Sequence, residues 1–270
     1  MPELPEVEVT RLGIRPHVLG QRIRTAVVRE PRLRLPVNAD LVERVVGQVI
    51  HDVHRRGKYL LLALDTGAVL IHLGMSGQLR VLPAATPPRR HDHVDLVLDS
   101  GDCLRLHDPR RFGVLCWIDD GEQHPLLRDL GPEPLGAAFT GTMLHARSRG
   151  RSAAIKGFIM DARIVVGVGN IYANEALFRA GIDPRRAAGG VSRVRYERLA
   201  AAIRTVLAEA IAEGGTTLRD FTQPDGKDGH FRLSLAVYGR VDAPCLRCGG
   251  PIRSVRIGGR SSYFCPHCQH

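Results

Sequence analysis

Two groups of residues in this chain have the types and spacing that chemistry requires. The first is the N-terminal string Met1-Pro2-Glu3-Leu4-Pro5-Glu6-Val7-Glu8. A small residue after Met1 permits its removal, which would leave Pro2 as a secondary amine. An α-amino group titrates near ~7.7–8.0, so roughly a tenth of it is unprotonated at neutral pH. Such an amine attacks a sugar aldehyde carbon and forms a cationic Schiff base. Pro5 suits the first helical position, where a missing N–H costs nothing, and Glu6 and Glu8 suit the first turn. The helix dipole would lower the pKa of the Pro2 amine, and Glu3 and Glu6 would raise it. The second group is Cys245-x2-Cys248 and Cys265-x2-Cys268, the spacing of a closed four-thiolate zinc site. Its symmetry argues against two redox pairs; His267 and His270 are the substitute donors.

Four further motifs combine cations, glycines and apolar tips. Lys58 follows Arg55-Arg56-Gly57 at the entrance to an apolar strand, a setting that suits a phosphate contact. Met75 stands between glycines in Ile71-His72-Leu73-Gly74-Met75-Ser76-Gly77, where it can project outward instead of filling the core. Apolar side chains pushed into a base step kink DNA and open its stack. In Asp108-Pro109-Arg110-Arg111-Phe112-Gly113 an arginine and an aromatic two residues on suit base-edge hydrogen bonding with stacking. Gly167-Val168-Gly169-Asn170 precedes a helix and would present backbone N–H groups to an anion. It matches neither the dinucleotide nor the Walker pattern, so no nucleotide cofactor is expected.

The elements that must hold these residues follow from periodicity and turn signals. A helix is predicted from Pro5 to about Leu19, kinked or shortened by Pro16, with Val7, Leu12, Val18 and Leu19 as its contacts. Short strands follow at Ile23–Arg29, within Val49–Asp65, and at Ala68–Leu73, His93–Leu98, Cys103–His107 and Phe112–Ile118, with a short helix capped by Asp40. Many short strands with glycine-containing turns predict two packed sheets. The Pro/Ala/Arg-rich stretch 83–90 reads as a mobile loop. Asp129-Leu130-Gly131-Pro132-Glu133-Pro134-Leu135 is a Gly/Pro break. Beyond it helices are predicted at Gly141–Ser148, Ser152–Met160, after Asn170 to Phe178, and from Ser192 to about Glu213. The last of these carries the stripe Leu199, Ile203, Val206, Leu207 and Ile211. A polar, glycine-rich loop spans 216–231. A hairpin, Ile252–Ile257 and Ser261–Phe264, would carry Arg260 at its tip between the cysteine pairs.

The formal charge is +10 and the pI 9.9, with arginine supplying most of the positive charge. That balance points to a polyanionic partner and to bidentate phosphate contacts. No stretch approaches ~18 uninterrupted apolar residues, so no membrane span is expected. No charged-then-apolar leader is visible, and a cytoplasmic protein is expected. Cys103 and Cys116 read as buried free thiols.

The string Met1–Glu8, the Lys58, Met75 and Asp108–Gly113 motifs, the segment Ile155–Ala180 and the cysteine quartet together resemble the bacterial formamidopyrimidine-DNA glycosylases, and the likeness runs from Pro2 to Gln269. The resemblance implies an α+β fold. It has an N-terminal two-sheet β-sandwich with an N-terminal helix (1–130), a helix–two-turn–helix domain (131–235) and a β-hairpin zinc finger (236–270) with one structural Zn2+. It implies a bifunctional glycosylase and AP lyase that binds damaged double-stranded DNA as a monomer, in a basic cleft between its domains, with no membrane and no catalytic metal. Pro2 would be the nucleophile, Glu3 the general acid/base, and Lys58 a contact to the lesion nucleotide. Glu6 would support the N-terminal helix. Met75, Arg110 and Phe112 would fill the gap left by a flipped nucleotide, with Arg110 facing the orphaned cytosine. His72, Asn170 and Arg260 would touch phosphates, and the 216–231 loop would fold over the flipped base. A bacterial cytoplasmic location at the nucleoid follows. Endonuclease VIII is the nearest rival, but Leu4, Met75 and the Asp108–Gly113 motif argue against it. A non-catalytic zinc protein leaves the N-terminal string unexplained. A hydrolytic nuclease needs a metal cluster for which no histidine spacing is apparent.

Overall fold

In a computed structural model, residues 2–119, 123–214 and 235–270 are described; Met1 and the glycine-rich loop expected at 216–231 lie outside them. The chain divides into two units. One runs through Arg128, and the other takes up Asp129–Glu213 and the C-terminal residues from 235.

The first unit begins with helix α1 (Leu4–Val18), whose N-cap is Glu3 and whose first turn contains Pro5. Pro16 neither kinks the helix out of its fold nor ends it, because α1 continues to Val18. The one N–H that Pro16 lacks would have faced the carbonyl of Leu12. Both residues lie on the solvent side, where water serves that carbonyl. Leu4, Val7, Ile14 and Val18 face inward, whereas Leu12 and Leu19, expected as contacts, are exposed.

Among the described residues eight strands follow: β1 (Ile23–Val28), β2 (Asp52–Arg56), β3 (Tyr59–Ala63), β4 (Ala68–His72), β5 (Gln78–Pro83), β6 (Asp92–Leu98), β7 (Asp102–His107) and β8 (Val114–Ile118), with helix α2 (Leu41–Val45) between β1 and β2. They form two antiparallel sheets, ordered β1-β6-β7-β5 and β2-β3-β4-β8. Ile23, Leu96, Leu104 and Leu106 of one sheet and Val53, Leu60, Leu62, Val69 and Ile71 of the other share one core with Val7, Ile14 and Val18 of α1. The apolar run Val49–Asp65 is two strands joined by the two-residue turn Gly57-Lys58. Gly57 has φ 58°, the glycine-first turn that matches the twist of a hairpin. The 83–90 stretch, expected from its composition to be a mobile loop, is anchored at Thr86 and Arg89. The buried Arg105 guanidinium donates to the carbonyl of Thr86 at 3.0 Å while pairing with Asp95 at 2.8 Å. The Arg89 N–H donates to Asp92 at 2.8 Å.

The second unit contains helices α3 (Gly141–Ser148), α4 (Ile155–Met160), α5 (Asn170–Ala180) and α6 (Arg193–Ala212). Helix α4 starts later than expected because Ala154 bridges Ala187 in extended backbone. Gly181, with φ 69°, ends α5. Leu199, Ile203, Val206 and Leu207 of α6 are buried, and Ala210 replaces the expected Ile211 on that face. Strands β9 (Arg253–Ile257) and β10 (Arg260–Phe264) form the C-terminal hairpin. Its turn is Gly258-Gly259, with φ 54° and 76°. Arg260 is therefore the first residue of β10, paired with Ile257, rather than the tip. The fold is the expected α+β arrangement: two antiparallel sheets with an N-terminal helix, a helical domain, and a β-hairpin zinc finger.

Candidate active site and nucleic-acid interface

At the head of α1, Pro2, Glu3 and Glu6 are buried. Glu3 and Glu6 close a capping box, in which Glu6 Oε2 accepts the Glu3 N–H at 2.8 Å. The box satisfies two N–H groups that a helix start otherwise leaves open, and it fixes the backbone that carries Pro2. One turn on, Glu8 accepts from Arg11 at 2.7 Å and from Arg55 at 2.7 Å. Burial pushes the Glu8 carboxyl up, but the two guanidiniums outweigh it and hold Glu8 below the usual carboxylate range. Arg55 also donates to the Gly57 carbonyl at 3.1 Å. The turn bearing Lys58 is thus fastened to the helix that Glu3 caps. Helix α1 packs on β2, β3 and β5, so the sheet supplies the rest of the positioning.

A second cluster lies where β4 and β7 end. His72, Arg34, Gly74, Met75 and Phe112 line a cavity of about 340 Å³. Met75 is 38% and Phe112 45% exposed, and both line that cavity. Phe112 does not open a strand as the sequence suggests: β8 begins at Val114, which leaves the ring on the loop. The Arg110 guanidinium lies over that ring, 4.8 Å from its centroid. Under the loop, the His72 ring is tilted against Tyr59 with centroids 4.9 Å apart. Burial, then the charges of Lys58 and Arg34, depress the His72 pKa to about 4. The Gly74 N–H donates to His72 Nδ1 at 3.0 Å, so the neutral ring carries its proton on Nε2 and offers a donor. Arg34 was not anticipated from sequence; it lies in an irregular Pro/Leu/Arg stretch with no motif to single it out.

In the second unit, Asn170 is the first residue of α5, after the N-cap Gly169. Its Oδ1 is buried without a hydrogen-bond partner among the described residues. The two ends of an amide are assigned by their partners. Turned over, this amide presents N–H donors at a helix N-terminus, where an anion is favoured. Three further residues, none anticipated from sequence, build the surroundings. Lys156 of α4 is buried and donates to the Ser261 carbonyl at 2.8 Å and to Ser262 Oγ at 2.7 Å, directly beside Arg260. Asn174 accepts the Tyr263 N–H at 2.7 Å. Glu175 accepts the N–H groups of Ala236, Val237 and Tyr238 at 2.9, 3.0 and 2.9 Å. Lys156 could have been found, because lysine is rare in this arginine-rich chain. Glu175 gave a weaker signal, an acidic residue inside an apolar helix.

The ligand atoms of Cys245, Cys248, Cys265 and Cys268 all lie within 4.8 Å of one another. The Cys245–Cys268 and Cys248–Cys265 sulfur pairs are 3.9 and 3.5 Å apart. A tetrahedron with Zn–S bonds of about 2.3 Å has edges of about 3.8 Å, so the quartet fits zinc. The Arg247 N–H points at Cys245 Sγ at 3.4 Å, as a knuckle that stabilises a thiolate does. Phe178, Val237 and Ile252 pack around Cys245 and Cys265, and Gln269 ties Cys265 N–H to the Ile182 carbonyl, each bond 2.8 Å.

Comparison with known proteins agrees across the whole chain. Residues 1–115 match the formamidopyrimidine-DNA glycosylase N-terminal domain, residues 130–222 the formamidopyrimidine-DNA glycosylase H2TH domain, and residues 243–270 the zinc finger found in FPG and IleRS. The formamidopyrimidine-DNA glycosylase of Acidithiobacillus ferrooxidans is 63% identical, with 100% of each chain covered. The crystal structure of MutM (FPG) from Thermus thermophilus is 43% identical with a TM-score of 0.88, over 99% of this chain and 98% of that one. An FPG mutant of Lactococcus lactis in complex with Fapy-dG-containing DNA is 31% identical with a TM-score of 0.92 over 100% of both chains. The zinc-finger match contains all four cysteines, and the quartet is a structural zinc site. Sequence, fold and metal ligands agree: the chain belongs to the formamidopyrimidine-DNA glycosylase family and is a DNA glycosylase of DNA repair.

Proposed function

We propose that this enzyme excises oxidised purines, such as 8-oxoguanine and formamidopyrimidines, from duplex DNA and then cuts the strand as an AP lyase. The observation that carries the reading is the head of α1: a buried Pro2-Glu3 fixed by the capping box, with the Lys58 turn fastened to the same helix through Glu8 and Arg55. The unprotonated Pro2 nitrogen attacks C1′ of a flipped nucleotide, the N-glycosidic bond breaks, and the proton lost from the Pro2 nitrogen neutralises the departing base. Glu3 protonates the sugar ring oxygen as the ring opens, giving the iminium. The iminium acidifies the C2′ proton, whose loss expels the 3′ phosphate. A second elimination expels the 5′ phosphate. Lys58 holds the phosphate or sugar of the lesion nucleotide. Met75, Arg110 and Phe112 occupy the vacated gap. His72, Asn170 and Arg260 hold backbone phosphates. The Lactococcus relative bound to Fapy-dG-containing DNA supports the purine lesion class.

No helix among the described residues is long and apolar enough to cross a bilayer. The reading places a monomer on damaged duplex DNA, in the cytoplasm at the nucleoid. Parallel excision assays on 8-oxoguanine:C, formamidopyrimidine:C and thymine glycol:A duplexes test it. Preference for the two purine lesions is expected; preference for thymine glycol would move the enzyme to the oxidised-pyrimidine branch.

A further inference from the structure

We propose that Asp108 is a positioning residue whose buried carboxylate joins two separate loops into one stiff wedge bearing Met75, Arg110 and Phe112. The inference rests on the gap-filling role proposed for those three tips. Asp108 is fully buried, and its carboxylate reaches both loops. Oδ2 accepts the Gly113 N–H at 2.7 Å, just beyond Phe112. Oδ1 accepts the Ser76 hydroxyl at 3.3 Å, just beyond Met75. Its backbone is held as firmly. The Asp108 carbonyl accepts His93 Nε2–H at 2.7 Å and the Arg111 N–H at 3.2 Å, and the Asp108 N–H donates to the His91 carbonyl at 3.0 Å. The bond to Arg111 closes a turn over Pro109 and Arg110, with proline where its fixed φ suits the turn.

The two loops also meet without spare room. A Cβ built on Gly74, which has φ 62°, would lie 2.5 Å from the Phe112 carbonyl carbon and 2.6 Å from the Gly113 nitrogen. One built on Gly113 would lie 2.9 Å from the His72 carbonyl oxygen and 3.0 Å from Asp108 Oδ2. Arg111, a non-glycine residue, is held at φ 55°, a conformation that persists only where surrounding bonds determine it. An insertion device needs this stiffness. Side chains ordered only on contact lose conformational freedom at that moment, whereas a fixed wedge does not. Asp108 touches no reacting atom in this scheme; it sets where Arg110 meets the opposite base and where Met75 and Phe112 enter the stack.

The test compares wild type, Asp108→Ala, Asp108→Asn and Ser76→Ala on two substrates. One is an 8-oxoguanine duplex with cytosine or adenine opposite, read by single-turnover excision. The other is a single-stranded oligonucleotide with an abasic site, read by borohydride trapping, which needs the amine but no wedge. Asp108→Ala is expected to slow duplex excision by about 100-fold, as a misplaced positioning group does, and to reduce whatever discrimination wild type shows between cytosine and adenine opposite the lesion. Trapping on the single strand should stay near wild type. Asp108→Asn keeps an acceptor for Gly113 and should recover most of the loss. Ser76→Ala cuts only one strut, and a loss of about tenfold on duplex alone is expected, the worth of one hydrogen bond to a charged group. Equal losses of Asp108→Ala on both substrates, or wild-type excision and base preference in both Asp108→Ala and Ser76→Ala, would overturn the proposal. If Asp108→Ala does not fold, Ser76→Ala and Asp108→Asn decide alone: an unchanged duplex rate in Ser76→Ala refutes the strut. A wild-type enzyme that traps nothing on either substrate sinks the catalytic reading itself.

Discussion

His72 shows how far a single side chain's behaviour departs from its residue type. A histidine proposed to hold a DNA phosphate invites the assumption of a cation. This ring is half-buried beside two cations, and its Nδ1 already accepts an N–H. Its folded-state pKa of about 4 lies below the ordinary 6.5. The unfolded chain therefore binds the proton more readily between those values. The ring's contribution to stability is full above pH 6.5 and is lost as pH falls toward 4. Imidazole 15N shifts should report a neutral ring protonated on Nε2 from pH 8 to pH 5; a titration near 6.5 would contradict the geometry. A neutral donor also releases no counterion. His72→Gln should thus weaken duplex binding without changing the slope of log affinity against log salt, whereas Arg260→Ala should flatten that slope by about 0.9. At this scale the sequence was most readable where chemistry restricts residue type, at the four thiols of the zinc site. Arg34, Asp108, Lys156 and Glu175 were not read, because each acts by touching something distant in the chain, and spacing encodes no such contact.

At the scale of elements, the head of α1 and the wedge loops are the parts on whose geometry the proposed chemistry depends. Glu6→Ala removes one half of the capping box. A loss of about 1 kcal/mol is expected on denaturant unfolding, together with slower covalent trapping, since the backbone at Pro2 loses a tether. Unchanged stability and unchanged trapping would show that the box is incidental. Gly74→Ala places a methyl against the Phe112 backbone at positive φ, and a loss of roughly 1–3 kcal/mol is expected. Elements with a clear period or cap were legible in the sequence, as α5 with its Gly181 stop shows. Strand β5 was not, because Gln78-Leu79-Arg80-Val81 buries an arginine. Arg80 is buried by pairing with Asp92 at 2.7 Å, so the strand's inward and outward faces do not separate by polarity. The split of Val49–Asp65 was hidden for a different reason. The only punctuation in an otherwise suitable strand pattern is the Gly57-Lys58 turn.

For the molecule as a whole, the +10 charge and the zinc quartet set the conditions for meeting DNA. Zinc binding and folding of the knuckles are one process. Chelation should abolish amide protection in β9 and β10 and lower duplex affinity by about tenfold or more through loss of the proposed Arg260 contact. Trapping on a single-stranded abasic oligonucleotide should survive. Loss of that trapping on chelation would assign the metal a part in the chemistry. The central claim is that the Pro2 amine performs the reaction. The most direct measurement is borohydride trapping on an 8-oxoguanine:C duplex, followed by intact mass and peptide mapping of the adduct. The account predicts a protein lacking Met1 and one covalent DNA adduct on Pro2. An adduct on Lys58, or excision with Met1 retained and no adduct, would contradict it.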